Sequence, residues 1–362
     1  MQLCQANPAL YEAQLADKQA RLSALLGVAP TDVRVFPSPL AHFRQRIEFR
    51  VWHEGDDSYY VMFPPGDPKN PQRIDTCTIA AEPIAELMEP LRQVILMELL
   101  LRRKLYQVDF LSTLSGEMLV TLIYHKPLDE EWIACAEVLK AHLPIDSIIG
   151  RSRKQKILLE RDYVVERLEV DGHTFTYQQI ENSFSQPNAQ VARQMLGWAR
   201  RCAEQVEAGD LLELYGGNGH FSIALAEYFP RVLMTEISGA SIRSARWNLA
   251  ANRVENIAVV KASAEQVSEA LHQNAATLKQ VPLRDYHFST LLVDPPRAGL
   301  DELTRALAAR FEHVIYISCN PETLARDLVT LRQSHEVVDV ALFDQFPYTH
   351  HIESGVFLRR KA

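Results

Sequence analysis

A thiol and a carboxylate near the end of the chain have the surroundings that covalent chemistry needs. Cys319 follows Val314–Ser318, a run of β-formers that reads as a short buried strand. Asn320 and Pro321 come next and suit the N-cap and first turn of a helix. A thiol placed there feels the positive end of the helix dipole and unpaired backbone N–H groups, and both favour thiolate. Glu353 opens another strand-like run, between His350-His351 and Gly355. A nucleophile and a carboxylate brought from different strand ends are what covalent acid–base catalysis requires. Alone, each has a plainer reading, a buried structural cysteine and a surface glutamate. The neighbouring motifs decide.

Leu211–Phe221 reads LLELYGGNGHF, a buried strand, then Gly216, Gly217, Asn218 and Gly219, then a helix. Glycines at such a junction let a ligand approach the backbone, and the helix N-terminus supplies donors. Glu236 ends the following strand, where an acidic side chain can accept hydrogen bonds from both hydroxyls of a ribose. The glycine spacing departs from GxGxxG, which counts against an NAD-dependent oxidoreductase. Asp294-Pro295-Pro296-Arg297 ends a later strand; two prolines stiffen that turn and aim Asp294 and Arg297 at the same crevice.

The elements that must position these residues alternate. Beyond the Ala189–Val206 helix, strands are expected at Leu211–Tyr215, Val232–Thr235, Ile257–Val260, Thr290–Val293, Val314–Ser318, Val337–Phe343 and Ile352–Leu358. Helices separate the first six, the signature of a parallel sheet. DQFPYTHH, which joins the last two, is too short for a helical crossover, so the seventh strand should run antiparallel. It then begins on the rim where its parallel neighbours end, and Glu353 meets Cys319 there. An antiparallel final strand suits the sheet of S-adenosylmethionine (SAM) methyltransferases.

The chain before Glu181 reads as α+β. A helix is expected over Gln2–Gly27, and a hairpin from RQRIEFRVWH and SYYVMF around Glu54-Gly55-Asp56-Asp57. Arg44, Arg46, Glu48 and Arg50 share one strand face by the two-residue period. Glu82–Leu105 reads as a helix broken or started at Pro90, and Glu130–His142 as another. Arg151–Lys156 (RSRKQK) is the densest basic cluster and a candidate phosphate contact. A second hairpin is expected around Asp171-Gly172.

With 362 residues and 47% hydrophobic content, the chain has room for two cored domains. The net charge of −8 argues against coating nucleic acid through a general field, so any RNA contact must be local. No long apolar run and no leader pattern is present, so no membrane association is expected. Five scattered cysteines without a CxxC pair suit a reducing, cytoplasmic setting and no bound metal.

FSQPN (Phe184–Asn188), LLELYGGNG, DPPRAGLD, YISCNPETLARDL and FDQFPYTHHIESGV together resemble the motifs of the SAM-dependent RNA uridine C5-methyltransferases. They cover most of Glu181–Phe357. EFRVWH, the Tyr124–Asp129 stretch and the overall length are similar to the tRNA-acting branch. The resemblance implies an α/β chain in which a Rossmann-like SAM-methyltransferase domain, a seven-stranded sheet with its last strand antiparallel (181–362), follows an α+β RNA-recognition domain (1–180). It implies SAM as cofactor, tRNA and also tmRNA as partners, and methylation at C5 of the T-loop uridine, position 54. A monomer is expected. Cys319 would be the nucleophile and Glu353 the general base. Gln186, Tyr215, Asn218, His220, Glu236 and Asp294 would line the SAM site. Phe49, Arg50, Tyr106 and His125 are candidates for holding the RNA loop open. The family usually carries Cys where this chain has Gly216 and Asn where it has His220; the glycine is expected to be harmless.

The chemistry permits rivals. RNA cytosine C5 methylation uses the same attack but needs an acid at N3, and no second cysteine stands in the sheet-edge motifs. A ribosomal RNA enzyme of the same family would bring four cluster-binding cysteines. A tRNA-folding chaperone sharing the fold would not need Cys319, Glu353 and Asp294 together.

Overall fold

Seven of the strands in the main sheet are those legible from hydrophobic runs, and their order places the chemistry. The computed structural model describes residues 3–362. The chain forms two units. One holds the chain up to Pro8, Pro39–Arg167 and Gln179–Ala189; the other holds Ala9–Ser38, Leu168–Gln178 and Gln190–Ala362.

The second unit is built on a sheet whose strand order is Val33–Phe36, His335–Phe343, Glu353–Arg360, His313–Ser318, Phe288–Val293, Asp210–Leu214, Val232–Glu236 and Ile257–Lys261. The Glu353–Arg360 strand runs antiparallel to both of its neighbours, and the other pairings are parallel. The strands are buried nearly throughout, as parallel strands covered on both faces must be. One strand was not foreseen. Val33–Phe36 adds an eighth, pairing Val33 with Val340 and Phe36 with Phe343. It is four residues long and bounded by Pro30 and Pro37, too short for a periodic signal.

The expected Gln2–Gly27 helix is confined to Tyr11–Leu26 and stopped by Gly27, which takes φ 62°. Gln2 lies outside the described residues. Leu22 and Leu26 enter the core of this second unit with Val33, Leu328, Leu331 and Leu342.

The first unit carries a seven-stranded sheet in the order Gln72–Arg73, Asp57–Met62, Arg46–Glu54, Leu105–Ser112, Met118–Tyr124, Ser147–Ser152 and Gln155–Leu159. Its one parallel pairing, Met118–Tyr124 with Ser147–Ser152, is the one bridged by a helix, Glu130–His142. That helix and Glu82–Met97 cover one sheet face, where Ile84, Leu91, Trp132 and Leu139 meet Val108 and Leu122. Pro90 neither breaks nor starts the Glu82–Met97 helix but sits inside it; the helix stops at Glu98, which caps a short turn, Leu99–Arg102. RSRKQK is a hairpin rather than a loop, with Ser152 opposite Gln155 and Arg153-Lys154 at the tip.

Cys4 and Cys77 are joined as a disulfide, a pairing the scattered spacing did not suggest. They meet because the N-terminal segment lies along 76–79, where Ala6 N–H donates to Thr78 Oγ1 and Ile79 N–H to the Cys4 carbonyl. Cys135, Cys202 and Cys319 are free thiols. Among the described residues no helix is long and apolar enough to cross a membrane, and no His/Cys/Asp/Glu group could hold a metal.

Candidate active site

Cys319 and Glu353 are brought together by strand register. Ser318 pairs with Ser354 across antiparallel strands, and Ser354 Oγ donates to the Ser318 carbonyl at 3.1 Å. Cys319 follows the one and Glu353 precedes the other, so both leave the sheet at the same edge. The turn after Cys319 is tied down on two sides. Asn320 is the N-cap of the Pro321–Leu331 helix, its Oδ1 accepting from Glu322 N–H at 3.2 Å. Asn320 Nδ2 also donates to the Arg297 carbonyl at 2.9 Å, and Thr323 Oγ1 to the same carbonyl at 3.3 Å. The Asp294–Arg297 turn is thereby fastened to the helix that follows Cys319.

The electrostatics depart from expectation. The Cys319 thiol is pushed up to about 11, first by burial, then by Glu353 and Asp294, with Arg297 opposing. The helix N-terminus does not outweigh these, so the resting form is the neutral thiol rather than the expected thiolate. Glu353, 4% exposed, is raised well above its ordinary value by burial and then by Asp294. Asp294 is pushed up to about 7 by burial. Burial shifts all three acidic groups toward their protonated forms, with Asp294 adding to the shift of both Glu353 and Cys319, so a cationic ligand beside them would favour the charged forms.

The glycine loop fits a nucleoside. Gly217 and Gly219 take φ 56° and 82°, and a Cβ at Gly217 would meet nothing within 4 Å, leaving that side open. Tyr215, at φ 61°, holds a left-handed backbone that is uncommon for a tyrosine and typical of functional turns. The Glu236 carboxylate fastens the loop: Oε2 accepts from Gly217 N–H at 3.0 Å, and Oε1 from Ile237 and Ser238 N–H at 2.8 and 2.6 Å. Its role in the fold is thus broader than the ribose contact expected of it. Lone pairs remain on Oε2 for a hydroxyl donor. Ile237, beside it, is 65% exposed, an apolar surface next to the acid that the sequence reading missed. Its signal was its place directly after Glu236.

Asn218 and His220 turn inward. Asn218 Nδ2 donates to the Gln178 carbonyl at 3.4 Å, and its own carbonyl accepts from Asn248 Nδ2 at 2.8 Å. The His220 ring packs on Tyr177 and Phe221, each 5.1 Å between centroids, and its Nε2 is buried without a hydrogen-bond partner. Burial lowers the imidazole to about 4, so it is neutral. Gly216 is tightly packed, and a side chain there needs Met234 to move. A Cβ there would lie 2.5 Å from Met234 Cγ, so Met234 fills the space that a side chain at 216 would need. Gln186 belongs to the other unit, on a segment held by Pro187, whose carbonyl accepts from Gln45 N–H at 2.8 Å.

On the first unit, Phe49 is fully buried between Tyr60 and Phe110 and belongs to the core. It is not available to an RNA base; in the alternating strand its side chain points with Ile47, away from Arg50. Arg50 lies over the Tyr106 ring at 3.9 Å, and Tyr106 stacks on His125 at 4.1 Å. Beside them is a cavity of about 870 Å³ reaching Lys126, Arg153 and Lys154. The RSRKQK residues are not equivalent. Arg151 is clamped by Glu181 at 2.7 and 2.6 Å, and Lys156 bonds Asp162 at 2.5 Å. Arg153 and Lys154 are exposed, with no partner among the described residues.

Residues 10–361 match the family described as tRNA (uracil-5-)-methyltransferase. The chain is 52% identical to the tRNA/tmRNA (uracil-C(5))-methyltransferase of Azoarcus sp. (strain BH72), covering 100% of each. It is 50% identical to the Vibrio cholerae protein of the same name, covering 98% of each. It also superposes on the crystal structure of Pyrococcus abyssi tRNA (uracil-54, C5)-methyltransferase in complex with S-adenosyl-L-homocysteine, with a TM-score of 0.73 and 26% identity, covering 96% of this chain and 83% of that one. With its strand order, its recess of acidic groups and its glycine loop all in unit two, this chain belongs to the tRNA (uracil-5-)-methyltransferase family.

Proposed function

We propose that this protein methylates C5 of the T-loop uridine of tRNA, position 54, and the equivalent uridine of tmRNA, through a covalent bond between Cys319 and uracil C6. The observation that carries the reading is the Ser318–Ser354 pairing, which puts thiol and carboxylate on one sheet edge with Asp294. The relatives named for tRNA and tmRNA, and the P. abyssi enzyme named for uracil-54, support the substrate.

Uracil C5 is a poor nucleophile until C6 is attacked. The neutral Cys319 thiol must first lose its proton, and Asp294, pushed up to about 7, is the neighbouring group that exchanges a proton at neutral pH. The sulfur electron pair then forms the S–C6 bond and leaves an enolate with negative charge at C5. SAM, when bound, supplies the electrophilic methyl group that C5 accepts. Glu353, held toward its protonated form by burial, must first give up its proton, which the positive charge of bound SAM would favour. As carboxylate it then takes the C5 proton, the C–H pair reforms C5=C6 and the S–C6 bond breaks, returning the thiolate. Tyr215, Asn218 and Glu236 would shape the cofactor cradle. Arg50, Tyr106 and His125 would stack the bases of an opened RNA loop, and Arg153 and Lys154 would meet its phosphates.

Incubation with unmodified tRNA and methyl-labelled SAM, followed by nucleoside analysis, tests the proposal. Label in 5-methyluridine at position 54 is the expected result. Label in 5-methylcytidine, or none, would overturn it.

A further inference from the structure

The helix Tyr11–Leu26 carries a polar stripe on the face that enters the core. Tyr11, Gln14, Lys18 and Arg21 follow one another at i, i+3, i+7 and i+10, so they lie on one side. All four address the segment that leads into Glu353 or its anchors. Lys18 Nζ, in a side chain only 4% exposed, donates to Asp344 Oδ1 at 2.7 Å and to the Phe346 carbonyl at 2.9 Å. Gln14 donates to Asp344 Oδ2 at 3.3 Å and accepts from Tyr348 N–H at 3.1 Å. The Tyr11 hydroxyl accepts from Ser38 N–H at 2.7 Å, and the Asp344 charge contributes to raising its pKa. Arg21 Nη1 donates to the His350 carbonyl at 3.1 Å, while Nη2 pairs with Glu322, in the first turn of the helix that follows Cys319.

A lysine in the buried stripe of an amphipathic helix is expensive unless a carboxylate meets it. Simple anchoring of the helix would be met by more leucine. The charge instead grips an irregular connection in which Tyr348 holds a left-handed backbone, φ 62°. Through Arg21 the same helix also touches the arm that carries the nucleophile. We propose that Lys18, with Asp344, and Arg21 are positioning residues that fix Glu353 against Cys319, so that the N-terminal helix is part of the catalytic apparatus. The inference rests on the role given to Glu353 above.

The test uses the full chain with unmodified tRNA. Lys18→Met/Asp344→Leu removes both buried charges without leaving one unpaired, and Arg21→Met breaks the link to Glu322 and His350. Because Glu353 acts late, the predicted defect is slow release. The double variant should lose about 30-fold or more in kcat, as a displacement near 1 Å would cause. Arg21→Met should lose about three- to ten-fold, since an exposed pair is weaker. Both should keep SAM affinity and accumulate methylated, denaturant-stable protein–RNA adduct, and Arg21→Lys should recover part of the rate. A merely structural role would instead lower the active fraction, giving less adduct at an unchanged rate per active site. That result, or kcat within two-fold of wild type in both folded variants, would overturn the proposal. If wild type forms 5-methyluridine and Glu353→Gln stalls as an adduct, either result counts against the brace alone. If they do not, the proposed function itself has failed.

Discussion

Ser318 and Ser354 face each other across two antiparallel strands, and that pair brings Cys319 and Glu353 to one edge of the sheet. One register step further would bring Cys319 opposite Glu353. A shift of one residue would turn one of them to the other sheet face. The thiol and the carboxylate therefore share one sheet edge by virtue of hydrogen-bond register, not of nearness along the chain.

The roles proposed for Cys319 and Glu353 predict that their substitutions fail at different points. Cys319→Ala should bind tRNA and SAM yet form no covalent complex and transfer no methyl group. Glu353→Gln keeps the shape but cannot take the C5 proton, so a methylated adduct should accumulate on denaturing gels. The double substitution should form none. Wild-type turnover by either single variant would remove that residue from the mechanism.

Burial and two acidic neighbours put the Cys319 thiol up at about 11. Alkylation by iodoacetamide of the protein without cofactor should be slow at pH 8 and rise through that value, well above the inflection near 8.5 of an ordinary thiol. Cationic SAM analogues should move the inflection down, since positive charge favours the thiolate. Fast alkylation at pH 7 without ligand would show that the helix N-terminus outweighs burial after all.

Glu236 accepts from three backbone N–H groups, one of them in the glycine loop, and is proposed to help hold the cofactor. Glu236→Ala should weaken SAM binding by about 1.5–3 kcal/mol, roughly ten- to a hundred-fold, with the global fold intact. Calorimetry gives the number, and unchanged affinity in a folded variant would take Glu236 out of the site.

Gly216 and Met234 compete for one volume. Gly216→Cys should therefore destabilise the protein by about 1–3 kcal/mol. Adding Met234→Ala should return most of the loss, which thermal melts of the single and double variants will read. Additive losses would mean the two positions are not coupled.

The basic hairpin divides into held and unheld charges. Neutralising Arg153 and Lys154 together should reduce the slope of log affinity for tRNA against log salt by about 1.5–2, leaving SAM binding alone. Arg151→Gln, by contrast, breaks the Glu181 clamp and should lower the melting temperature more than the salt slope. Equal slopes in the Arg153/Lys154 variant and wild type would leave that tip as ordinary solvated surface.

Local signals were enough for the strands and helices after Glu181, because parallel strands buried on both faces leave continuous apolar runs and their turns need glycine or proline. They also sufficed for the antiparallel last strand, since eight residues cannot make a crossover. The placement of Cys319, Glu353 and Asp294 at strand ends was legible for the same reason, as each ends or begins such a run. What lay beyond reach depended on partners distant in the chain. Lys18 looks like an ordinary surface lysine until Asp344 comes to meet it, 326 residues away. Val33–Phe36 becomes a strand only beside Val340–Phe343, and Cys4 finds Cys77 only once the N-terminal segment is laid down. Phe49 and Arg50 are neighbours in sequence, yet the pleat buries one and presents the other to Tyr106. The resting state of Cys319 was misjudged for a related reason. A helix N-terminus is a local feature, whereas the burial and the two carboxyl groups that oppose it come from elsewhere in the fold, and at this site they prevail.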